Sequence, residues 1–463
     1  MPSSPVLPPR AAPTGAVVRS LAALAAPMLL GQAGQVLIQL VDTAFVGRLG
    51  PVPLAAAALA GNLVMFALYF AYGAVGAVSP STARAHGAGD RAEAAHTARA
   101  GVALGLVVGV GVALVLTAVV PLLPFLGQPP EVTDAARGYL LLVAWSMPAA
   151  ITAVVLGQVA EAVDRPWPVF AFMTLAVLFN ALLAWGLVFG HAGLPALGLV
   201  GAGWATFLAR WVHAVALVTW VSAEPRLAAG RLALPDWGRV AGLFRAGLPV
   251  AAQDVLEGGA FAVGALFLGR VGTEALAANM VTVSIASLAW MVPVSLATAT
   301  SVRVAQAVGA GDRPAARRTA LVAVLLGAAV MGCCAVVYVG GGSRLARLFT
   351  DDPAVAALAG TLVSIAGIYQ MSDAIQSVSL GALRGLLDNR VPMLANAVCY
   401  WGLSLPTVWW LTFRCGWGAA GVWAGYLPWM VGTGIFFLVR FLRLTADAPG
   451  RHPPPGAASS PSP

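Results

Sequence analysis

The sequence contains no lysine. All 26 basic residues are arginine, they face only 18 acids, and charged residues make up 10% of the 463 positions, far below the roughly one quarter usual for a soluble domain. Without lysine the phosphate-cradling loop G-x-x-x-x-G-K-[ST] cannot be written, which excludes ATP hydrolysis by that route and leaves an ion gradient as the default energy source for any work. Cysteine is equally sparse. Cys333, Cys334, Cys399 and Cys415 form neither a disulfide framework nor a metal-ligand spacing. The five histidines (His86, His96, His191, His213, His452) are scattered, with no H-E-x-x-H. No enzyme signature emerges, no cofactor is called for, and the arginines form no stripe that would suit nucleic acid.

What fills the chain instead is apolar. Hydrophobic residues reach 59% and the mean hydropathy is +0.85, the profile of an integral membrane protein. Apolar stretches near the ~20 residues that cross a bilayer as a helix recur at 22–46, 53–78, 101–123, 138–158, 169–189 and 199–221, and again at 247–268, 276–298, 318–340, 355–380, 391–412 and 419–440. They predict an all-α integral membrane protein with twelve spans in two sets of six, ten and fourteen being the neighbouring counts. The arginines orient it. With both termini inside, the turns carrying Arg84, Arg91, Arg165, Arg303, Arg313, Arg384 and Arg390 are cytoplasmic, while only Arg48, Arg137, Arg270, Arg344, Arg347 and Arg414 fall outside, as the positive-inside rule prefers. The net charge of +8 is a consequence of that topology.

The two sets are copies. The pentapeptide GAGDR occurs at 87–91 and at 309–313, an offset of 222 that also pairs Pro27 with Pro249 and "AFVGRLG" (44–50) with "LFLGRVG" (266–272). Farther on, "LGQVAEAVDRPWPV" (156–169) matches "LGALRGLLDNRVPM" (380–393), pairing Asp164 with Asp388 at offset 224. An internal duplication accounts for all of it. GAGDR itself reads as a cytoplasmic turn between the second and third spans of each half, inherited twice. The expected organisation is a disordered cytoplasmic tail over 1–18, an N-lobe over 19–222, a cytoplasmic amphipathic linker over 223–244, a C-lobe over 245–444 and a second disordered tail over 445–463. The first apolar segment lacks a small-residue cleavage site and is expected to stay as a helix.

Chemistry in such a chain has to reside in acids inside the spans, where an ionisable side chain is costly and marks a functional site by default. Asp42, Glu257 and Asp373 qualify. Asp254 is a fourth, one helical turn before Glu257 and on the same face. Glu257 lies near the midplane, 12 residues from Arg245 and 13 from Arg270. None of these acids is repeated: Glu257 aligns with Gln35, Asp42 with Gly264, and Asp373 falls in the apolar "PAAI" at 148–151. The two halves are therefore expected to contribute differently to one cycle. Gln35, Gln39 and Gln376 are cavity candidates by helical facing, or interhelical hydrogen bonders.

From Ser20 to Leu442 the chain resembles the multidrug and toxic compound extrusion (MATE) transporters, the NorM-type branch in particular. The resemblance is carried by "PMLLGQAGQVLIQLVDTAFVGRLG", "GLPVAAQDVLEGGAF" and "YQMSDAIQSVSLGALRGLLDNRVPM". It implies two six-helix bundles in a V around a central cavity, coupled to Na⁺ or H⁺ entry. On it, Glu257 and Asp373 match C-lobe acids that bind the cation, Na⁺ being the possible metal ion. Asp42 matches the N-lobe acid that couples ion and substrate, and Asn180 matches a polar residue lining the N-lobe cavity. The sequence departs from the pattern at Glu161, where arginine is usual, and at Asp254. The function so implied is a bacterial inner-membrane antiporter, multi-pass with both termini cytoplasmic and expected as a monomer, exporting amphipathic and chiefly cationic organic compounds. The alternatives are a lipid or lipid-linked sugar flippase, for which an arginine-lined cavity is expected, and a channel or passive receptor.

Overall fold

The computed structural model describes residues 13–224 and 235–446, except for the side chains of Gln35, Ile38 and Gln39. Among the described residues there are helices and no strand. The first bundle comprises α1 (Thr14–Gly47), α2 (Pro51–Val75), α3 (Val78–Gly87), α4 (Arg91–Val119), α5 (Pro130–Ala162), α6 (Pro166–Phe189) and α7 (Gly198–Ala223). The second comprises α8 (Trp237–Val271), α9 (Thr273–Gly309), α10 (Arg313–Ala346), α11 (Pro353–Gly385), α12 (Arg390–Ala397), α13 (Leu405–Trp409) and α14 (Gly418–Leu444). Eleven of the described helical stretches are long and apolar enough to cross a membrane, α2 and α3 running on as one. The segment expected at 391–412 is different. There α12 and α13 alternate with π-helical turns at Val398–Ser404 and Trp410–Arg414, so the crossing is made of short consecutive pieces. The protein is thus an all-α membrane protein of two six-crossing bundles.

Duplication is visible at the level of caps. In both GAGDR copies the second glycine adopts φ +76°, the left-handed conformation that lets a helix end at no steric cost. The Asp90 N–H donates to the Ala85 carbonyl at 3.1 Å and the Asp312 N–H to the Ala307 carbonyl at 2.9 Å, closing each preceding helix as a Schellman motif. Each aspartate then starts the next helix. Asp90 Oδ1 accepts from Glu93 N at 2.8 Å and Asp312 Oδ1 from Ala315 N at 3.0 Å, the N-cap bond aspartate is selected for.

Within each bundle, small residues let backbones approach, because lipid is as apolar as leucine and packing rather than water exclusion drives association. Among the described residues, the bundles meet each other where α1 and α2 pack on α9 and α8. Val17, Leu21, Leu24 and Met28 of α1 pack with Leu296, Ala299 and Val302 of α9. Gly73 of α2 sits against the Ala251 backbone of α8, and Gly247 of α8 against the Ala74 carbonyl. Toward the other end Leu37, Leu40, Met280 and Leu288 remain exposed. The result is a V whose apex carries both GAGDR turns. The stretch 223–244 read as a linker is partly helix, since α8 already begins at Trp237 with Asp236 as its cap; residues 225–234 lie outside the described residues.

Candidate ion and substrate sites

Each bundle holds acids on helices that face its own interior. In the second bundle α11 is enclosed by α9, α10 and α14, and this burial carries Asp373 to 5% exposure. Ser377, one turn on, donates to Asp373 Oδ1 at 3.2 Å, while Oδ2 is buried with no partner. Gln376 donates Nε2 to Asn396 Oδ1 at 3.3 Å and leaves its own Oε1 buried and unpartnered. Glu257 of α8 completes the group from across the bundle, within electrostatic reach of Asp373 and Asp254. Orphaned carboxylate and amide oxygens in a buried setting are the donor set a hard cation or a proton would satisfy.

Asp254 is not available in the same way. It accepts from Arg384 Nη2 of α11 at 3.1 Å, so its charge is already matched, and among the described residues no group of three metal-ligating side chains forms. The structure adds Tyr400, which no motif signalled. The π turn at Val398–Ser404 turns it inward, 1% exposed, where its hydroxyl faces the Glu257 carboxylate and Asp373 lies within electrostatic reach. Single extra residues in a helix often serve such placements.

In the first bundle, Asp42 of α1 accepts a hydrogen bond from Asn180 Nδ2 of α6 at 2.9 Å. These two, matched separately by resemblance, are therefore brought together. The side chains of Gln35 and Gln39 lie outside the described residues. Arg210 of α7 enters the same space and donates to Ser146 Oγ of α5 at 2.8 Å. Hydropathy segmentation passes over it because "FLARWVH" is otherwise apolar and aromatic. Among the aromatic residues of the spans, Phe45 is packed edge-on against Phe189 at 5.7 Å, whereas Phe66, Phe70, Trp290 and Trp409 are exposed. A crevice of about 580 Å³ opens between α2, α4 and the start of α8, lined by Phe70, Val112, Trp237 and Phe244. It holds none of the acids.

At the apex the bundles are also tied by polar bonds. Arg303 of α9 donates to Asp164 Oδ1 at 2.7 Å, Gln306 to the Ala162 carbonyl at 3.1 Å, and Gln32 to Ser295 Oγ at 2.9 Å. Arg239 of α8 bonds Glu93 of α4, and within the first bundle His86 Nε2 lies 3.9 Å from Asp164 Oδ2.

The MatE family model matches residues 27–185 and 249–410 of this chain, one segment in each of the duplicated bundles. The chain belongs to the MatE family. Those segments begin at Pro27 and Pro249, the prolines the repeat pairs. The chain is 35% identical over 417 residues to the probable multidrug resistance protein NorM of Pseudomonas aeruginosa, covering 88% of this chain and 86% of that protein. It is 34% identical to the multidrug resistance protein NorM of Burkholderia vietnamiensis, covering 91% and 92%. In fold it is similar to the Vibrio cholerae MATE transporter VcmN in the bent form, with TM-score 0.85, 22% identity and coverage of 93% and 98%. A eukaryotic MATE transporter, AtDTX14, superposes with TM-score 0.83 at 20% identity, covering 94% and 97%. The MatE fold and the NorM-type relationship expected from the sequence are thus in place.

Proposed function

We propose that this MatE protein is a multidrug exporter of the bacterial inner membrane, an antiporter that exchanges H⁺ or Na⁺ for amphipathic, chiefly cationic organic compounds. The observation that carries the reading is the pair of unequal acid sites, Asp42 with Asn180 in one bundle and Asp373 with Glu257 in the other. A fixed carboxylate buried without a protein cation bonded to it needs a positive partner that can come and go. Both termini and both GAGDR turns are placed at the cytoplasmic face, following the arginine distribution.

Exchange follows from differential binding. A cation that enters from outside neutralises the C-lobe acids and changes the relative stability of the two states, and an organic substrate biases that equilibrium the other way. The bundles rock about their shared interface, closing one end as the other opens. Na⁺ is credible because Asp373, Glu257 and Gln376 offer several oxygens; H⁺ needs one acid only. We place H⁺ first, with Na⁺ competing for the same carboxylates. The protein is taken to act as a monomer without ATP or nucleic acid.

The deciding experiment measures dye or drug flux in proteoliposomes under separately imposed Na⁺ and H⁺ gradients. Uphill flux driven by either gradient is expected. Flux that ignores both would remove the antiport reading, and full activity in choline that a protonophore abolishes would remove obligatory sodium coupling.

A further inference from the structure

Arg210 stands in α7, within a membrane-crossing stretch, where a guanidinium is among the costliest groups to place. Such a residue is expected to be ion-paired. It is not: among the described residues its one hydrogen-bond partner is the Ser146 hydroxyl, and it joins no ion pair within 4.0 Å. Asp42 nevertheless lies within its electrostatic reach, as do Tyr72 of α2 and Tyr139 of α5. Opposite charges in a weakly screening interior attract strongly and collapse together unless something holds them. Here each is held by a neutral group of its own, Asp42 by Asn180 at 2.9 Å and Arg210 by Ser146 at 2.8 Å.

Unused bonding capacity remains at both ends. A guanidinium has five N–H donors, and the bond to Ser146 uses Nη1 alone. At the other end Asn180, 3% exposed, keeps its Oδ1 buried with no partner beside the Asp42 carboxylate. One pole therefore offers oxygens to a cationic nitrogen, and the other offers planar N–H donors to a carboxylate or carbonyl, a geometry in which arginine can bind two oxygens at once.

We propose that Arg210 is a specificity-determining residue of the first bundle, whose site takes dipolar amphiphiles, compounds that present a cationic nitrogen to Asp42 and Asn180 and an anionic or acceptor oxygen to Arg210. The inference rests on the reading of this bundle as an organic-substrate site and narrows its ligands from chiefly cationic compounds to those that carry a cationic nitrogen together with an anionic or acceptor oxygen. A purely cationic compound gains Asp42 but is repelled by Arg210; a compound carrying both charges satisfies the two poles together. Asp42 and Arg210 carry opposite charges, so a dipolar ligand matches the pair without adding net charge.

The test uses purified full-length protein at fixed pH and follows fluorescence anisotropy of two dyes on one scaffold: a rhodamine with a free carboxylate, and its methyl ester, which is cationic only. Wild type should bind the free acid more tightly. Arg210→Gln should weaken the free acid by about tenfold or more, the loss of one charge-assisted contact, and leave the ester unchanged or tighter. Arg210→Lys, which keeps the charge should the glutamine variant misfold, should still prefer the free acid. Asp42→Asn should weaken both dyes alike. The proposal is overturned if wild type binds neither dye or does not discriminate, or if Arg210→Gln shifts both dyes equally. Failure of the antiport reading shows up elsewhere: the expected discrimination in a protein whose flux ignores both gradients removes coupling and leaves the site.

Discussion

Asp254 and Glu257 are one turn apart on α8, and only the first has a cation of the protein bonded to it, Arg384 at 3.1 Å. Their substitutions should therefore differ in kind. Asp254→Asn leaves Arg384 without its counter-charge in a partly buried setting, at 30% exposure. That should cost on the order of 1–2 kcal/mol, between the surface and buried limits for ion pairs, and be read as a lower melting temperature with ion dependence intact. Glu257→Gln and Asp373→Asn should each abolish ion-driven efflux while insertion and melting temperature stay near wild type, since an amide replaces the carboxylate without opening a cavity. Near-normal gradient-driven transport in both would sink the assignment of these acids. The sequence marked all three acids as intramembrane and left Asp254 among the candidates; which of them is already paired depends on Arg384, 130 residues away.

At the scale of the element, the turn between helices explains three positions of GAGDR separately. Gly89 and Gly311 hold φ +76°, Asp90 and Asp312 cap the next helix, and Arg91 and Arg313 begin it. Asparagine caps as well as aspartate, so Asp90→Asn and Asp312→Asn should leave expression and transport rate nearly unchanged. Alanine should remove roughly 1 kcal/mol of stability at either site, measured by thermal unfolding in detergent. In neither case should the coupling ion change; a switch in ion dependence would mean that the turn takes part in coupling. The caps were legible because Gly-x-Gly-Asp names its own backbone geometry. The π turns of the eleventh crossing were not, because an extra residue per turn leaves apolar composition untouched while it redirects Tyr400 and Trp401, whose indole N–H reaches the Leu256 carbonyl at 2.9 Å.

The first glycine of the motif acts at the scale of the whole molecule. Gly87 lies against the Gln306 carbonyl and Gly309 against the Arg84 carbonyl. Gly87 and Gly309 are repeat mates at offset 222, and so are Arg84 and Gln306. The two copies thus close on each other about a pseudo-twofold axis at the apex, and a Cβ at either glycine would overlap backbone rather than a movable side chain. Gly87→Ala and Gly309→Ala should push the bundles apart there and shift the population toward the state open at that end, detected as a longer or broader distance between spin labels placed on α3 and α9. Asp164→Asn, which loosens the Arg303 bond without steric overlap, should shift it in the same direction and by less. Unchanged distance distributions in both glycine variants would show that the apex contact does not set the conformational balance.

Composition, apolar segment length and the repeat determined by themselves that this is a two-bundle membrane protein with acids inside its spans, because a bilayer fixes how long an apolar stretch must be and a duplication leaves identical scarce residues at one offset. The tertiary structure alone decided what those acids meet. In a lipid environment the faces of a helix toward neighbours and toward solvent are both apolar, so no periodicity announces which way a side chain turns. Rotation and depth of helices far apart in the chain therefore put Asn180 on Asp42, Arg384 on Asp254 and Arg210 beside the first bundle's acid, and they seated the two GAGDR glycines on each other's backbone.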